Sequence, residues 1–596
     1  MLVWRTSRDL RQKPASLQIA VVWTVLLSIA VLLAGCSTSP IRTPRMSKAW
    51  SKGLPLGLAS LNNQVALDVD PEGRVVAAWV GMDQDIRLVR LNERAGVEVD
   101  RPLDLALNHP QGVRIGVDDD GQVHLVWLDR VDRALQVLYA RFSPEGDVLQ
   151  PATQLSAAGL QSGRLAVALD SQGRTLEVFW SDTFASHPGI YHAALSWAGS
   201  LVVPAELLIA EGLAPSVATD RQGYIHLAWR EEGEDPPVSF HYAIYDPQRR
   251  LLGPSARVSE PVAEASMIGG PAAGARFQGP QLGLSRDSVY LAWMLEVRQR
   301  GDLTALTFFQ TFPQPALESV DRSGRFFYTL PEVVSKPVQV RGGDPSLTGD
   351  PAFAKGQPDD QVLVCYTQAE GPRNLKMLQS AVVHLSDPQL GMDIVSATTG
   401  ASLKPNVAVD GQQDLHLVWI DTAGFDRYRV LYASTAPQVQ EVLNPVTVGE
   451  ALSQVLELGF GALTLIGFLP LYLIWAVPAL LALLVFWTVT QGVDLSQPQG
   501  RVALACGIGV HGLVKVTTAG GALNRLSTGG WVTAAWQETV IRWLVPLLIT
   551  ALAAWIVRIY VRKSGTVSLF GAFFIFVLID ALLFTLIYLT PLLLWG

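Results

Sequence analysis
A tryptophan returns in this chain roughly every 50 residues, each time closing the same short pattern. Six copies align: VALDVDPEGRVVAAW (65–79), IGVDDDGQVHLVW (115–127), VALDSQGRTLEVFW (167–180), VATDRQGYIHLAW (217–229), LGLSRDSVYLAW (282–293) and VAVDGQQDLHLVW (407–419). A weaker seventh, AFAKGQPDDQVLVCY (352–366), has Tyr366 where the others have Trp79, Trp127, Trp180, Trp229, Trp293 and Trp419. The intervals between these aromatics are 48, 53, 49, 64, 73 and 53 residues. A fixed period marks a chain built from one supersecondary unit, each burying its apolar face against the next.

The unit reads as antiparallel β-structure. An alternating apolar segment forms a strand, and Asp-x-x-Gly follows, as in Asp118–Gly121 and Asp220–Gly223. The aspartate (Asp70, Asp118, Asp170, Asp220 or Asp410) opens a type I turn by accepting from backbone amides. The glycine supplies the left-handed residue after it. A second alternating strand runs to the tryptophan. In the second copy Val123, Leu125 and Trp127 share one face, and His124 and Val126 the other. Further strands follow, such as LQVLYARF (135–142) and YRVLYAST (428–435). Three or four strands per 50 residues with one tryptophan each predict a β-propeller over residues 55–445, with seven blades favoured and six as the alternative. The longer intervals are assigned to insertions around 297–350.

The repeats resemble the sialidase-like (BNR-repeat-like) propellers of bacterial exported proteins, in which an apolar-Ala-apolar-Asp strand turns through Gly into apolar-His-apolar-apolar-Trp. The resemblance spans most of residues 60–440. It implies the propeller fold, and in true sialidases an arginine cluster, a tyrosine nucleophile backed by glutamate, and an aspartate acid/base. Two departures argue against that activity. The early Phe/Tyr-Arg-Ile-Pro element is missing, and glycine stands three residues after aspartate without the threonine of the Asp box.

Other candidates divide between chemistry and architecture. Asp129, Asp182, Glu231 (with Glu232) and Asp421 follow the tryptophan at equivalent strand ends, so they are placed around one rim. Glycoside hydrolysis needs two such carboxylates at a set separation, whereas solvated turns need nothing from them. The tryptophans suit packing between blades better than carbohydrate stacking. His124, His226 and His416 share one repeat position, and positions related by the repeat diverge in space, so no metal site is expected. Asp68-Val-Asp70-Pro-Glu72-Gly73 begins like a calcium loop, but Trp79 stands where the bidentate acid belongs. No cofactor is expected.

The ends of the chain carry an address. The chain is 49% hydrophobic and 16% charged, with mean hydropathy +0.27. That charge content is well below the roughly 25% of soluble domains. Residues 37–451 carry a net charge of −14, while 1–36 and 452–596 carry +3 each. An acidic domain is disfavoured as a nucleic-acid binder. Residues 19–35 are apolar behind Arg5, Arg8, Arg11 and Lys13, the shape of an export signal over 1–35. The run ends Leu33-Ala34-Gly35-Cys36, which resembles the lipobox of bacterial lipoproteins and implies lipidation at Cys36; an uncleaved signal anchor is the other reading. Residues 36–54 are then a linker. With Cys36, only Cys365 and Cys506 complete the cysteine count, which is no disulfide framework.

Residues 446–596 predict a transmembrane domain with spans at 462–487, 502–521, 541–560 and 567–594. Arg558, Arg562 and Lys563 mark a cytoplasmic loop, and Trp475, Trp487, Trp543 and Trp555 suit interfaces. Asp580 falls inside the last span. There it is a proton or ion relay, or a lock bonded to His511, Lys515 or Arg542. The whole reads as an extracytoplasmic propeller on the cytoplasmic membrane: a binding or scaffolding module for a glycan, peptide or partner protein. A glycoside hydrolase, and a transport or assembly factor run by the helices, are the rival classes.

Overall fold
In the computed structural model the described residues divide into two units, one within Ile41–Pro445 and one within Val446–Gly596. The structure describes residues 47–445 except 61–63, 132, 158–161, 184–187, 234–236, 262–275, 300–301, 316, 319–326, 329–335, 342–346, 371–375, 387–390, 397, 399 and 425–426. It also describes residues 475–595 except 524–539 and 565–567. The predicted export run, Cys36 and the start of the first predicted span lie outside the described residues.

The first unit is a seven-bladed β-propeller. Its inner strands are Ala66–Val69, Gln111–Val117, Ser162–Asp170, Leu213–Thr219, Arg276–Leu284, Thr348–Phe353 and Ser402–Val409. Each packs on the next, and the last on the first, so the ring is closed. All pairings within blades are antiparallel. The weak seventh copy is a true blade, the sixth in order, of four strands. The 64-residue interval is taken up between Ala256–Ser259 of blade four and Arg276, where most residues lie outside the described ones, and the 73-residue interval belongs to blade five. There Ser288–Gln299 and Asp302–Pro313 run long, a small hairpin (Leu317–Glu318 with Phe327–Tyr328) follows, and the outer strand shrinks to Val338–Gln339.

Blade seven takes its outermost strand from the other end of the unit. Leu54–Ala59 pairs with Tyr428–Ser434, and the two ends of the propeller are thereby stitched together. The Trp79 indole donates to the Leu58 carbonyl at 2.9 Å, tying the stitch to blade one. The short helix Pro437–Leu443 then packs Val439 on the same seam.

The core is a set of wedges. Each tryptophan is buried against its own blade and the preceding one: Trp127 with blade one, Trp180 with blade two, Trp229 with blade three, Trp293 with blade four, Trp419 with blade six and Trp79 with blade seven. An indole removes a large apolar surface from water in one residue. Removing about 150–250 Å² from water contributes at most about 4–6 kcal/mol per tryptophan.

The second unit, among described residues, is helical: Trp475–Val489, Pro498–Leu523, Val545–Ser564 after a π-turn at Val540–Leu544, and Leu569–Trp595. One of them, Val545–Ser564, is long and apolar enough to cross a membrane, with mean hydropathy 1.6. The described parts of Trp475–Val489 and Leu569–Phe584 are apolar but shorter. Gly507 and Gly512 let the bundle close up: a Cβ there would lie 3.0 Å from Leu483 and 3.3 Å from Thr550.

Candidate functional site
The aspartates of the repeat sit at the turn between the first and second strands of each blade. Asp118 accepts from the amides of Asp120 and Gln122, Asp220 from Gln222 and Tyr224, Asp410 from Gln412 and Asp414, and Asp70 from Glu72 and Arg74. Asp170 accepts from Gln172. Gly73, Gly121 and Gly223 follow with φ of 79°, 72° and 86°, the left-handed region where a side chain is strained.

The histidines complete a relay inside the blade. In blades two, four and seven Nε2 meets the turn aspartate: His124 with Asp118 at 3.1 Å, His226 with Asp220 at 3.2 Å, His416 with Asp410 at 3.3 Å. A carboxylate only accepts, so Nε2 carries the proton and Nδ1 accepts from a tyrosine hydroxyl. That tyrosine is Tyr139, Tyr242 or Tyr432, at 2.9, 2.6 and 2.8 Å. Both ring nitrogens are thus engaged. Burial pushes the Asp118 and Asp410 carboxyls up, but the histidine and turn amides outweigh it and hold both below the usual range. Blade three inverts the pair: Glu177 stands at the histidine position and His192 at the tyrosine position, 2.6 Å apart. There burial, with repulsion from Glu177 and Asp246, pushes the Asp170 carboxyl up.

Of the four carboxylates that follow the tryptophans, Asp129 and Asp421 hold loops. Asp129 is buried and accepts from the amides of Asn108, His109 and Arg130. Asp421 is buried and accepts from the hydroxyls of Thr398 and Ser402. Asp182 is fully buried. Glu231 accepts from the Trp229 indole at 2.8 Å and meets His241 at 3.2 Å. Asp129, Asp182 and Asp421 are therefore turned into the protein, and the solvated turns that the sequence suggested for them are absent.

The ring has two different ends. At the turn end, the blade-six segment around Lys355 crosses the axis. Its ammonium donates to Asp68 of blade one and to the Ile115 carbonyl of blade two, both at 2.7 Å. Its backbone bridges Val407 and Val409 of blade seven. Gln357 donates to the Asp220 carbonyl of blade four and Gln361 to the Leu284 carbonyl of blade five. A plug held by five blades closes this end.

At the other end charge collects. Each inner strand from blade two to blade seven carries a bulge near its start. The left-handed residue there is Gly112, Ala214, Gly279, Asp350 or Lys404, and proline follows in blades four to seven. Bulges re-aim side chains. Arg114, Arg164, Asp350 and Lys404 lie at these bulges, and Arg230 and Glu296 come from neighbouring second strands. Burial and the Arg164 charge push Arg114 down to about 10. Arg164 is pushed down by burial and by Arg230, and drawn up by Asp350. Arg164 and Asp350 belong to blades three and six, which are not neighbours, so they influence each other across the axis. Arg164 keeps exposed surface in a recess walled by protein, which solvates a charge poorly.

Burial pushes the Asp350 carboxyl up, while Lys404 and Arg164 draw it down and Glu296 opposes them. The Lys404 amide donates to Asp350 at 3.3 Å. Tyr366 stands over Gly349, beside Asp350, and burial, Asp350 and Glu296 all raise its hydroxyl. The non-turn end of the ring thus gathers Arg114, Arg164, Arg230 and Lys404 with Asp350 and Glu296, and Arg230 is paired with Glu232 at 2.9 Å.

None of these mouth residues was named as a site by the repeat pattern, because that pattern aligns the turn and the tryptophan. The available signal was a charged or small residue before proline about 15 residues ahead of the aromatic: Ala214-Pro215, Gly279-Pro280, Asp350-Pro351 and Lys404-Pro405. In the helical unit Asp580 is buried and bonded to Lys515 and His511; the side chain of Arg542 lies outside the described residues.

No family model matches the chain, and no curated protein matches it in sequence. Similar solved structures include the polysaccharide lyase Uly1, at 9% identity over 68% of this chain and 94% of that one, TM-score 0.41. The BP39L lectin from Burkholderia pseudomallei is 14% identical over 62% and 98%, TM-score 0.35. The α-L-arabinofuranosidase arb93a from Fusarium graminearum is 8% identical over 65% and 98%, TM-score 0.36.

Proposed function
We propose that this chain is a membrane-anchored, extracytoplasmic propeller that binds a carboxylate-bearing ligand at its axial mouth and acts as a binding or scaffolding module. The observation that carries this is that Arg164 lies within electrostatic reach of Arg114 and of Arg230, from three successive blades, with only Arg230 paired to a carboxylate, Glu232, at 2.9 Å. Like charges so placed repel, and the domain around them is strongly acidic. An anion would relieve that repulsion, and guanidinium is suited to bidentate carboxylate recognition. Anchoring rests on the apolar run before Cys36, on two or more acyl chains holding a protein stably, and on the apolar helix Val545–Ser564. Four crossings put the Arg558–Lys563 cluster inside and the propeller outside.

Calorimetric titration of the full chain in lipid nanodiscs tests the mouth. A hexuronic-acid oligosaccharide and a short acidic peptide are the two carboxylate sources, with the carboxyl-reduced oligosaccharide as control. Saturable, salt-sensitive binding of one carboxylate ligand, weakened at least tenfold in Arg164→Ala, is expected. Equal affinity for the reduced sugar, or an unaffected Arg164→Ala, overturns the reading.

A glycoside hydrolase is the second reading, and the pairing of Glu296 with Asp350 beside Tyr366 favours it. Asp350, whose carboxyl burial pushes up, would serve as the acid. Release of reducing ends by wild type, lost in Asp350→Asn with binding retained, would establish catalysis; binding without turnover leaves the module.

A further inference from the structure
The helical unit buries a polar cluster with one unused proton-accepting position. Asp580 on Leu569–Trp595 receives the Lys515 ammonium on both oxygens, at 2.7 and 2.8 Å. Oδ2 also meets His511 Nε2 at 3.1 Å, and Oδ1 meets the Thr550 hydroxyl at 3.1 Å. His511 and Lys515 lie one turn apart on Pro498–Leu523, and Thr550 on Val545–Ser564, so three helices converge on one carboxylate. Asp580, His511 and Lys515 are 1%, 1% and 0% exposed.

The protons can be counted. Lys515 and Asp580 form a neutral pair. Since the carboxylate only accepts, His511 donates through Nε2, which leaves Nδ1 as a bare lone pair. Nδ1 is buried and has no hydrogen-bond partner. The ring is held edge-to-face against Phe576 at 5.3 Å and Phe573 at 6.4 Å. An unmet acceptor in such surroundings is destabilising.

We propose that His511, Asp580 and Lys515 form a proton-binding site in which two bases share one carboxylate. Uptake of one proton from solvent forms the Nδ1–H bond and breaks none. It turns His511 into an imidazolium that competes with Lys515 for Asp580. The cluster then carries one net positive charge, so proton loading pushes the Lys515 ammonium away from Asp580 and loosens the three-helix contact. Lys515 also lies 4.7 Å over the Phe584 ring, and Phe584 packs edge-on to Trp475, which carries the movement to a fourth helix. The groups facing His511 are Lys515 on its own helix, Thr550 on Val545–Ser564 and Asp580 on Leu569–Trp595. Trp475–Val489 brings no titratable group, and the charged end at Arg558, Arg562 and Lys563 lies away in the exposed last turns.

The test is histidine ring NMR on the full chain in nanodiscs between pH 4 and 9, with His511→Gln identifying the His511 signal. The wild type is expected to show the Nε2–H tautomer near neutrality and to titrate within this window. Asp580→Asn should lower the proton affinity of His511 at least tenfold, and Lys515→Met should raise it at least tenfold. A His511 that stays neutral throughout in the wild type overturns the proposal whatever the variants do. So do variants that fold but move the titration by less than threefold. If Asp580→Asn does not fold, the wild-type titration and the Lys515→Met shift decide together.

Discussion

His124, His226 and His416 occupy one position of the repeat, and the repeat explains why. Each links the turn aspartate to a tyrosine of the third strand, so one side chain fixes turn, second strand and third strand together. Replacing His124 by Gln should cost about 2 kcal/mol at pH 7, the value of a hydrogen bond to a charged group. The sign with pH follows from Asp118. Its carboxyl titrates lower in the fold than unfolded, so its contribution is present above the ordinary value near 4 and fades as pH falls through the lower folded value. The difference in denaturant stability between wild type and His124→Gln should therefore shrink in acid. Blade three gives the converse case. His192→Tyr alone removes the 2.6 Å bond to the buried Glu177, leaving it the Thr175 hydroxyl, and should destabilise by about 2 kcal/mol. Adding Glu177→His rebuilds the relay of the other blades, so the double variant should unfold at higher denaturant than the single one. The histidines and aspartates were readable because they recur; the tyrosine partner was not, since it follows the tryptophan at 12 or 13 residues across a variable loop.

Among elements, the strand Leu54–Ala59 decides whether the ring closes. Nothing in LPLGLA distinguishes it from a linker residue by residue, and it precedes the first Asp-Gly turn, so the repeat could not claim it. Its register with Tyr428–Ser434 shifts at Gly57, where a Cβ would lie 2.9 Å from the Trp79 ring. Gly57→Val should overpack that seam, cost about 2 kcal/mol, and speed unfolding as followed by tryptophan fluorescence. An unchanged midpoint would mean that the stitch does not bear on stability. The weak copy in blade six has a related explanation. Its turn lost the Asp-x-x-Gly pattern because the segment at Lys355–Gln361 fills the axis, where contacts with five blades replace a local turn.

For the whole molecule, charge and hydropathy gave the order of parts before any fold was known. The topology they imply is directly testable. Protease added to intact spheroplasts should cut within residues 60–440 and leave the helical unit, given that detergent-solubilised protein is cut at the same places. Protection of the propeller in intact cells would reverse the orientation. The axial mouth belongs to this scale too. Arg114, Arg164, Arg230, Glu296, Asp350 and Lys404 come from six blades and are separated by up to 290 residues. No local pattern links them, because each blade contributes a single residue.

The sequence by itself determined the repeating unit, its turn chemistry, its tryptophan wedges and the separation of an acidic β-domain from an apolar helical end. Those follow from periodicity, which acts between residues within about ten positions of one another. Only the tertiary structure decided how many blades close the ring, which strand closes it, and that one end is plugged while the other gathers charge. Only it brought His511, Lys515 and Thr550 onto Asp580. Ring closure and helix packing bring together residues from distant parts of the chain, and Coulomb and hydrogen-bond forces act on distance in space.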